Sequence, residues 1–365
     1  MIRLNDLRVT DLKHRQSLLK AFENVLIHGQ VLLGPECEQL ESISATLHQK
    51  KFGVAVASGS SALYLALKAL DIGPGDEVIT TSLSWIATNN AISLTGATPI
   101  NVDVDSYQNI DLYKARIAIT KRTKAIIPVH FTGIVVRQSE LKKFSLETGI
   151  PVIEDAAQAF RGRDIDGSLV GSSGVLTCFS MNAMKPFRSY GEAGLIVTDD
   201  ESLKHRLEIL RYNGMSNREV CISPSINGRI DTLQAAALLI NIEKIDQIYA
   251  HRKSIAEIYR SYIDKRIMLQ PKEQGKEVRS YHTFPILVPN RDKVQEKMLS
   301  AGVETGVHHK LLMQMQPAYK SIPNPPTPIA EAMVQQLMSI PMHDNLTDED
   351  AIKVSRVINY VCGFS

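Results

Sequence analysis

The sequence predicts an α/β chain with a mostly parallel central sheet flanked by helices, and three observations carry that reading. From residue 53 to about 200, short β-branched runs alternate with longer segments of helix formers, as parallel strands joined by crossover helices do. The runs AIIPVH (125–130) and PVIED (151–155) are continuously apolar until their last residues, as strands covered on both faces are. Between the first two strands, SALYLALKAL is rich in strong helix formers and is stopped by Gly73-Pro74-Gly75, a strand, helix, turn, strand unit.

In chain order, the expected strands lie at 53–57, 77–81, 98–104, 125–130, 152–155, 175–180 and 195–198. Residues 230–263 contain neither Gly nor Pro and repeat apolar residues at helical spacing among Glu, Lys and Arg, which predicts one long helix or two in series. Further on, YHTFPILV reads as a strand, RDKVQEKMLSAG as a helix with its stop, and the Pro-rich stretch 322–328 as a loop.

The composition is that of a globular chain: 365 residues, 44% hydrophobic and 22% charged, which excludes disorder, collagen and coiled coil. Lys plus Arg is 41 and Asp plus Glu 39, so the net charge of +2 gives no broad attraction to nucleic acid or an anionic membrane. Cys37, Cys178, Cys221 and Cys362 lie far apart, with no CxxC pair and no nearby His at zinc spacing, so reduced thiols are expected and no metal site. The first residues, charged from Arg3 onward, lack the apolar run of a signal peptide, and the longest apolar stretches fall far short of the ~20 residues a membrane span needs. The expectation is a cytoplasmic protein.

Three segments bear chemistry. Ala57-Ser58-Gly59-Ser60-Ser61-Ala62 is a small-residue turn between a strand and a helix; it either caps that helix or offers free amides and hydroxyls to a phosphate. In Val152-Ile153-Glu154-Asp155, acidic residues end an apolar strand at the edge where α/β sheets bind ligands, so Asp155 either caps the next element or meets a ligand. In Cys178-Phe179-Ser180-Met181-Asn182-Ala183-Met184-Lys185, a Ser precedes a Lys by five residues, and Tyr190-Gly191-Glu192-Ala193-Gly194 follows. A lone Lys is usually a solvated surface charge; here its company argues otherwise.

Taken together, these segments resemble the fold-type I pyridoxal-phosphate enzymes, and more closely the sugar aminotransferases of the DegT/DnrJ/EryC1/StrS family. The likeness runs from His28-Gly29 and Leu33-Gly34-Pro35 to Leu346-Thr347-Asp348-Glu349, in the family's order. It implies a large pyridoxal 5'-phosphate (PLP) domain over 1–245 and a smaller α+β domain over 246–365. Lys185 would form the internal Schiff base and then serve as acid and base in the proton shift. Asp155 would face the pyridine nitrogen and keep it protonated. Gln158 would meet the phenolic oxygen, and Trp85, the only Trp, would stack on the ring, with core filling as its other reading. Gly59, Ser60, Ser61 and Ser180 would hold the phosphate, and Asn227 would reach the phosphate of a neighbouring subunit in a homodimer with shared sites. His308 and Tyr190 are candidate substrate contacts, and Tyr281-His282 and Gly306-Val307-His308-His309 resemble segments that approach the sugar in relatives. Glu192 in GEAG stands where the family often has Asp in GDGG.

The expected reaction moves an amino group from glutamate to a keto sugar, usually nucleotide-linked, in amino-sugar biosynthesis. Two alternatives stand beside it: a transaminase of a free or acidic sugar or a cyclitol ketone, and a non-catalytic PLP-binding regulator, against which the complete Lys, Asp and Gln set argues. Family dehydratases usually carry His at the Schiff-base position, which Lys185 does not match.

Overall fold

The computed structural model describes residues 1–364. Seven strands build the central layer: β1 (Phe52–Val56), β2 (Glu77–Thr81), β3 (Thr98–Val102), β4 (Thr123–Ile127), β5 (Ile153–Asp155), β6 (Leu176–Ser180) and β7 (Gly194–Thr198). They form two sheets, ordered β3-β2-β4 and β5-β6-β7-β1, joined by single parallel bridges at Ile126–Val152 and Val129–Asp155. Pairing is parallel from β3 through β6, while β7 runs antiparallel to both β6 and β1. The β6–β7 link carries no helix, and an antiparallel return needs no crossover. The expected strand over 125–130 is shifted, because Pro128 has no amide for the ladder and ends β4 at Ile127.

The side chains alternate as a sheet covered on both faces requires. On β1, Val54 and Val56 enter one core with Leu63, Leu67, Ile92 and Leu207, whereas Ala55 enters another with Phe179, Leu195, Leu238 and Tyr249. The helices that supply these residues start and stop on local signals. Asp11 caps α1 (Leu12–His28) by accepting from the amides of Lys13 and His14, and α2 (Pro35–Leu47) opens on a proline, which suits a first helical position. Ser58 caps α3 (Gly59–Ala69); α4 (Ala87–Leu94) and α5 (Leu112–Ile117) follow, and Gly149 closes α6 (Gln138–Thr148) with a φ of 70°. Asp200 caps α7 (Glu201–Arg211).

Residues 230–263 form two helices in series, α8 (Thr232–Ile242) and α9 (Ile245–Tyr262). The inner face of α9 brings Ile255 and Tyr259 into a separate core with the antiparallel pair β8 (Phe284–Leu287) and β9 (Leu337–Ile340). The helices α10 (Arg291–Ser300), α11 (Pro328–Val334) and α12 (Asp348–Val361) complete the C-terminal part; Val354 and Ile358 of α12 enter that same core. Among the described residues, no helix is long and apolar enough to cross a membrane.

Candidate active site

The sheet topology brings the predicted segments to one edge. Because β7 is antiparallel to both neighbours, β1 and β6 run the same way, and Gly194 at the start of β7 pairs with both Val56 and Ser180 at their C-terminal ends. Asp155 ends β5 on that edge, opposite Cys178. This is the carboxyl edge at which α/β sheets bind ligands.

The turn after β1 is packed tightly against the end of β6. A Cβ on Gly59 would lie 2.6 Å from the Ser180 Cβ, so only glycine allows α3 to start there. The Ser58 hydroxyl accepts the Ser61 amide at 3.1 Å and lies 3.0 Å from the Ser61 hydroxyl. Ser60, next to them, is exposed. Of the two readings the sequence left open, Ser58 supplies the cap, and Gly59, Ser60 and Ser180 lie around a helix N-terminus whose first amides have no partner within the helix.

Asp155 is buried, and its two hydrogen bonds come from neutral donors, the Thr88 hydroxyl at 2.9 Å and the Ala157 amide at 3.2 Å. Burial pushes its carboxyl above the usual range, against the pull of these donors and of Lys185. Behind it, fully buried Glu154 collects His130 Nε2 at 2.8 Å, Gln138 Nε2 at 2.9 Å and the amides of Gly171 and Gly174 at 3.0 and 2.6 Å. These four donors hold an ionised carboxylate and fix β5 next to Asp155. His130, the last residue of the AIIPVH run, therefore sits in the framework behind the site.

Lys185 lies in the β6–β7 connection, a folded-back loop held by the Met181 amide on Ala193 O at 2.8 Å and the Ala183 amide on Gly191 O at 2.9 Å. Glu192 is bonded to Asn182 across this loop. Desolvation brings the Lys185 amine down to about 8, with Asp155 and Glu192 pulling the other way. Its pocket is walled by Trp85, Phe131, Thr132, Gln158, His282 and His308 among others. Gln158 Oε1 accepts the Thr132 amide at 2.8 Å, and Thr132, a β-branched residue at φ 58°, holds a conformation that such residues rarely adopt. Trp85 is 61% exposed, so it fills no core and is available as a ring-stacking face.

The C-terminal part closes this pocket. His282 Nε2 lies 3.2 Å from Lys185 Nζ, and His308 Nδ1 lies 3.1 Å from Ser339 Oγ. His309 lines the same pocket, its ring 5.3 Å from that of Phe131, and burial takes its imidazole down to about 3. Burial also lowers His308. All of these histidines are therefore neutral at physiological pH.

Two predicted residues stand elsewhere. Tyr190 lines a different cavity with His14, Arg188, Asn241 and Lys244; its amide is tied to Gln234 Oε1 at 2.9 Å and its hydroxyl lies 3.4 Å from His14. Asn227 is exposed, away from the Lys185 pocket, and accepts Arg229 Nε at 2.9 Å. Two residues beyond the predicted set belong to the site: Thr88, three residues after Trp85, and His309. No local pattern marks Thr88, whose partner Asp155 lies 67 positions away; His309 belongs to the segment Gly306-Val307-His308-His309 singled out from the sequence, and the docking of that loop brings it to the pocket.

The donor set suits a phosphorylated aldehyde cofactor with a basic ring nitrogen. A glycine-lined helix N-terminus, a buried carboxylate served only by neutral donors, and a recessed amine of lowered basicity are disposed around one edge. Comparison with known proteins agrees. Residues 13–359 match the DegT/DnrJ/EryC1/StrS aminotransferase family, and the chain belongs to it. It is 35% identical over 350 residues to the UDP-2-acetamido-2-deoxy-3-oxo-D-glucuronate aminotransferase of Pseudomonas aeruginosa, covering 94% of this chain and 97% of that one. It is 33% identical to the dTDP-3-amino-3,6-dideoxy-alpha-D-galactopyranose transaminase of Aneurinibacillus thermoaerophilus, covering 98% and 99%. Among solved structures, NtdA from Bacillus subtilis with bound cofactor PMP superposes with a TM-score of 0.89 at 28% identity, over 97% of this chain and 83% of that one.

Proposed function

We propose that this chain is a PLP-dependent aminotransferase that moves an amino group from L-glutamate to the carbonyl carbon of a nucleotide-linked keto sugar, in amino-sugar biosynthesis. The observation that carries the reading is Lys185: a recessed amine brought down to about 8, facing Gln158 and Trp85 in one pocket, with Asp155 at the adjoining strand end. PLP, when bound, supplies an aldehyde for that amine and a protonated ring able to take up electrons from a substrate carbon.

The residues divide the remaining work. Lys185, whose lowered basicity leaves far more free amine near neutrality than an exposed lysine has, takes a proton from one atom and returns it to another. Asp155 holds the ring nitrogen protonated, and the Thr88 hydroxyl fixes the carboxylate that does so. Gln158 is oriented by its Oε1 bond to the Thr132 amide, which leaves its NH2 to donate to the phenolic oxygen. Gly59, Ser60, Ser61 and Ser180 receive the phosphate. Neutral His308, at the pocket wall, offers a hydrogen bond to a sugar hydroxyl without adding charge beside the lysine.

The glutamate donor and the nucleotide rest on family resemblance; relatives named for UDP and dTDP sugars leave the nucleotide of this substrate open. The assembly in this reading is a homodimer. It is supported by the exposed apolar face of α1, where Leu19, Leu26 and Ile27 are 61, 69 and 77% exposed. Exposed Asn227 is the residue that would reach the partner's phosphate site. The compartment is the cytosol, where the four free cysteines stay reduced.

The test is direct. Purified holoenzyme given L-glutamate and keto sugars linked to UDP or dTDP is expected to release 2-oxoglutarate in equal amount to an amino sugar identified by mass spectrometry. Release of 2-oxoglutarate with no amination of any sugar in the panel would contradict the sugar acceptor.

A further inference from the structure

Among the described residues, the one side-chain hydrogen-bond partner of Lys185 Nζ is His282 Nε2, at 3.2 Å. The pair is 97 positions apart in sequence, so the contact is made by the fold. His282 is held on several sides. Its own amide donates to Thr132 O at 3.2 Å. The residue before it, Tyr281, is bent to a φ of 47°, and its carbonyl accepts Arg252 Nη1 at 2.9 Å. Arg252 also grips Asp344, through Nε at 2.9 Å and Nη2 at 2.8 Å. The same carboxylate takes Arg188 Nη1 at 2.6 Å, and Arg188 lies three residues beyond Lys185. One partly buried acid, Asp344, thus anchors both sides of the Lys185–His282 contact.

The protonation state follows from burial, which takes the His282 imidazole well below its ordinary value, with Lys185 and Arg252 adding to the effect. A neutral ring has one donor and one acceptor nitrogen, and facing an ammonium Nε2 must be the acceptor. The proton then sits on Nδ1, which has no hydrogen-bond partner in the protein.

We infer that His282 is a further catalytic residue, whose Nε2 accepts a hydrogen bond from the Lys185 ammonium and holds that nitrogen in place whenever Lys185 carries the proton. The inference rests on Lys185 being the reacting amine. No proton passes to the imidazole: Lys185 gains a proton from one substrate atom, keeps it while bonded to His282, and gives it to the next. His282 resists the shift because its own ring is the weaker base by far. The other charged or titratable groups facing Lys185 are Asp155 from β5 and Glu192 from the Lys185 loop, both raising its basicity, and His308 and His309 from the C-terminal part, both neutral.

The test reads Lys185 itself. Full-length protein freed of cofactor is methylated with formaldehyde and cyanoborohydride across pH 6 to 10, and the Lys185 peptide is followed by mass spectrometry. The wild-type midpoint is expected at about 8. In His282→Leu the ammonium loses its acceptor, and the midpoint falls by about one unit, a tenfold change in the acid–base equilibrium. His282→Gln keeps an acceptor at similar reach and keeps the wild-type midpoint. Should the leucine variant fail to fold, as circular dichroism would show, His282→Asn, whose shorter side chain stops short of Nζ, gives the same fall. A midpoint unmoved in the leucine or asparagine variant overturns the inference, and so does a glutamine variant that falls with them. The same preparations are treated with PLP and borohydride: no adduct on wild-type Lys185 defeats the parent reading, whereas an adduct with unmoved midpoints defeats only the role of His282.

Discussion

Lys185→Ala is expected to lose amino transfer by about a thousandfold or more and to hold PLP without a covalent link. Two roles vanish with one side chain. In the proposed reaction the amine is the nucleophile toward the cofactor aldehyde, and acid–base catalysis alone contributes roughly 10²–10⁴-fold. The fold should survive, because the backbone bonds that shape the loop are made by Met181, Ala183 and the Lys185 amide on Asn182 O at 2.9 Å, none of which needs the lysine side chain. Activity of the purified variant, its melting temperature and its cofactor content after dialysis check this. A well-folded alanine variant that turns over at the wild-type rate would remove Lys185 from the reaction.

The second large effect belongs to Asp155→Asn, which should slow amino transfer by about 10²- to 10³-fold. Asparagine keeps the shape and can still accept the Thr88 hydroxyl, which reaches the carboxylate at 2.9 Å, so the strand end stays in place. What disappears is the negative charge that, in the proposed reading, lies beside the ring nitrogen. Removing one partner of a buried ion pair costs about 3–5 kcal/mol, and each 1.36 kcal/mol expressed in the barrier is a factor of ten. The charge also raises the basicity of Lys185, so its loss should move the acid limb of the pH–rate profile to lower pH. Rates near wild type, with an unmoved profile, would contradict the assignment of Asp155.

The sequence was informative about this site where chemistry is local. The five-residue spacing from Ser180 to Lys185, the acid at the end of an apolar strand and the small-residue turn after β1 are each contained in one short segment, and the fold gathers them at one sheet edge. The antiparallel course of β7 was not legible, since a continuously apolar run such as Leu195-Ile196-Val197 looks the same in either direction and only the helix-free link from β6 hints at it. Trp85 shows the same limit from the other side: its type fitted both a core and a stacking role, and only its 61% exposure separates them. His282 was visible as part of a segment, but its contact with Lys185 depends on Arg252, Asp344 and Arg188 packing across the chain. Tyr190 sits in the legible loop, yet its backbone bond to Gln234 and its neighbour His14 turn it into another cavity. Long-range partners of this kind are set by tertiary packing, which no spacing rule encodes.

The central claim is that Lys185 is the amine that engages the cofactor. The most direct measurement is to load the wild-type protein with PLP, reduce with borohydride, digest, and locate the pyridoxyl group by mass spectrometry. The account predicts the adduct on Lys185, and its loss when L-glutamate is added before reduction. An adduct on a different lysine, or none in folded and PLP-saturated protein, would contradict it.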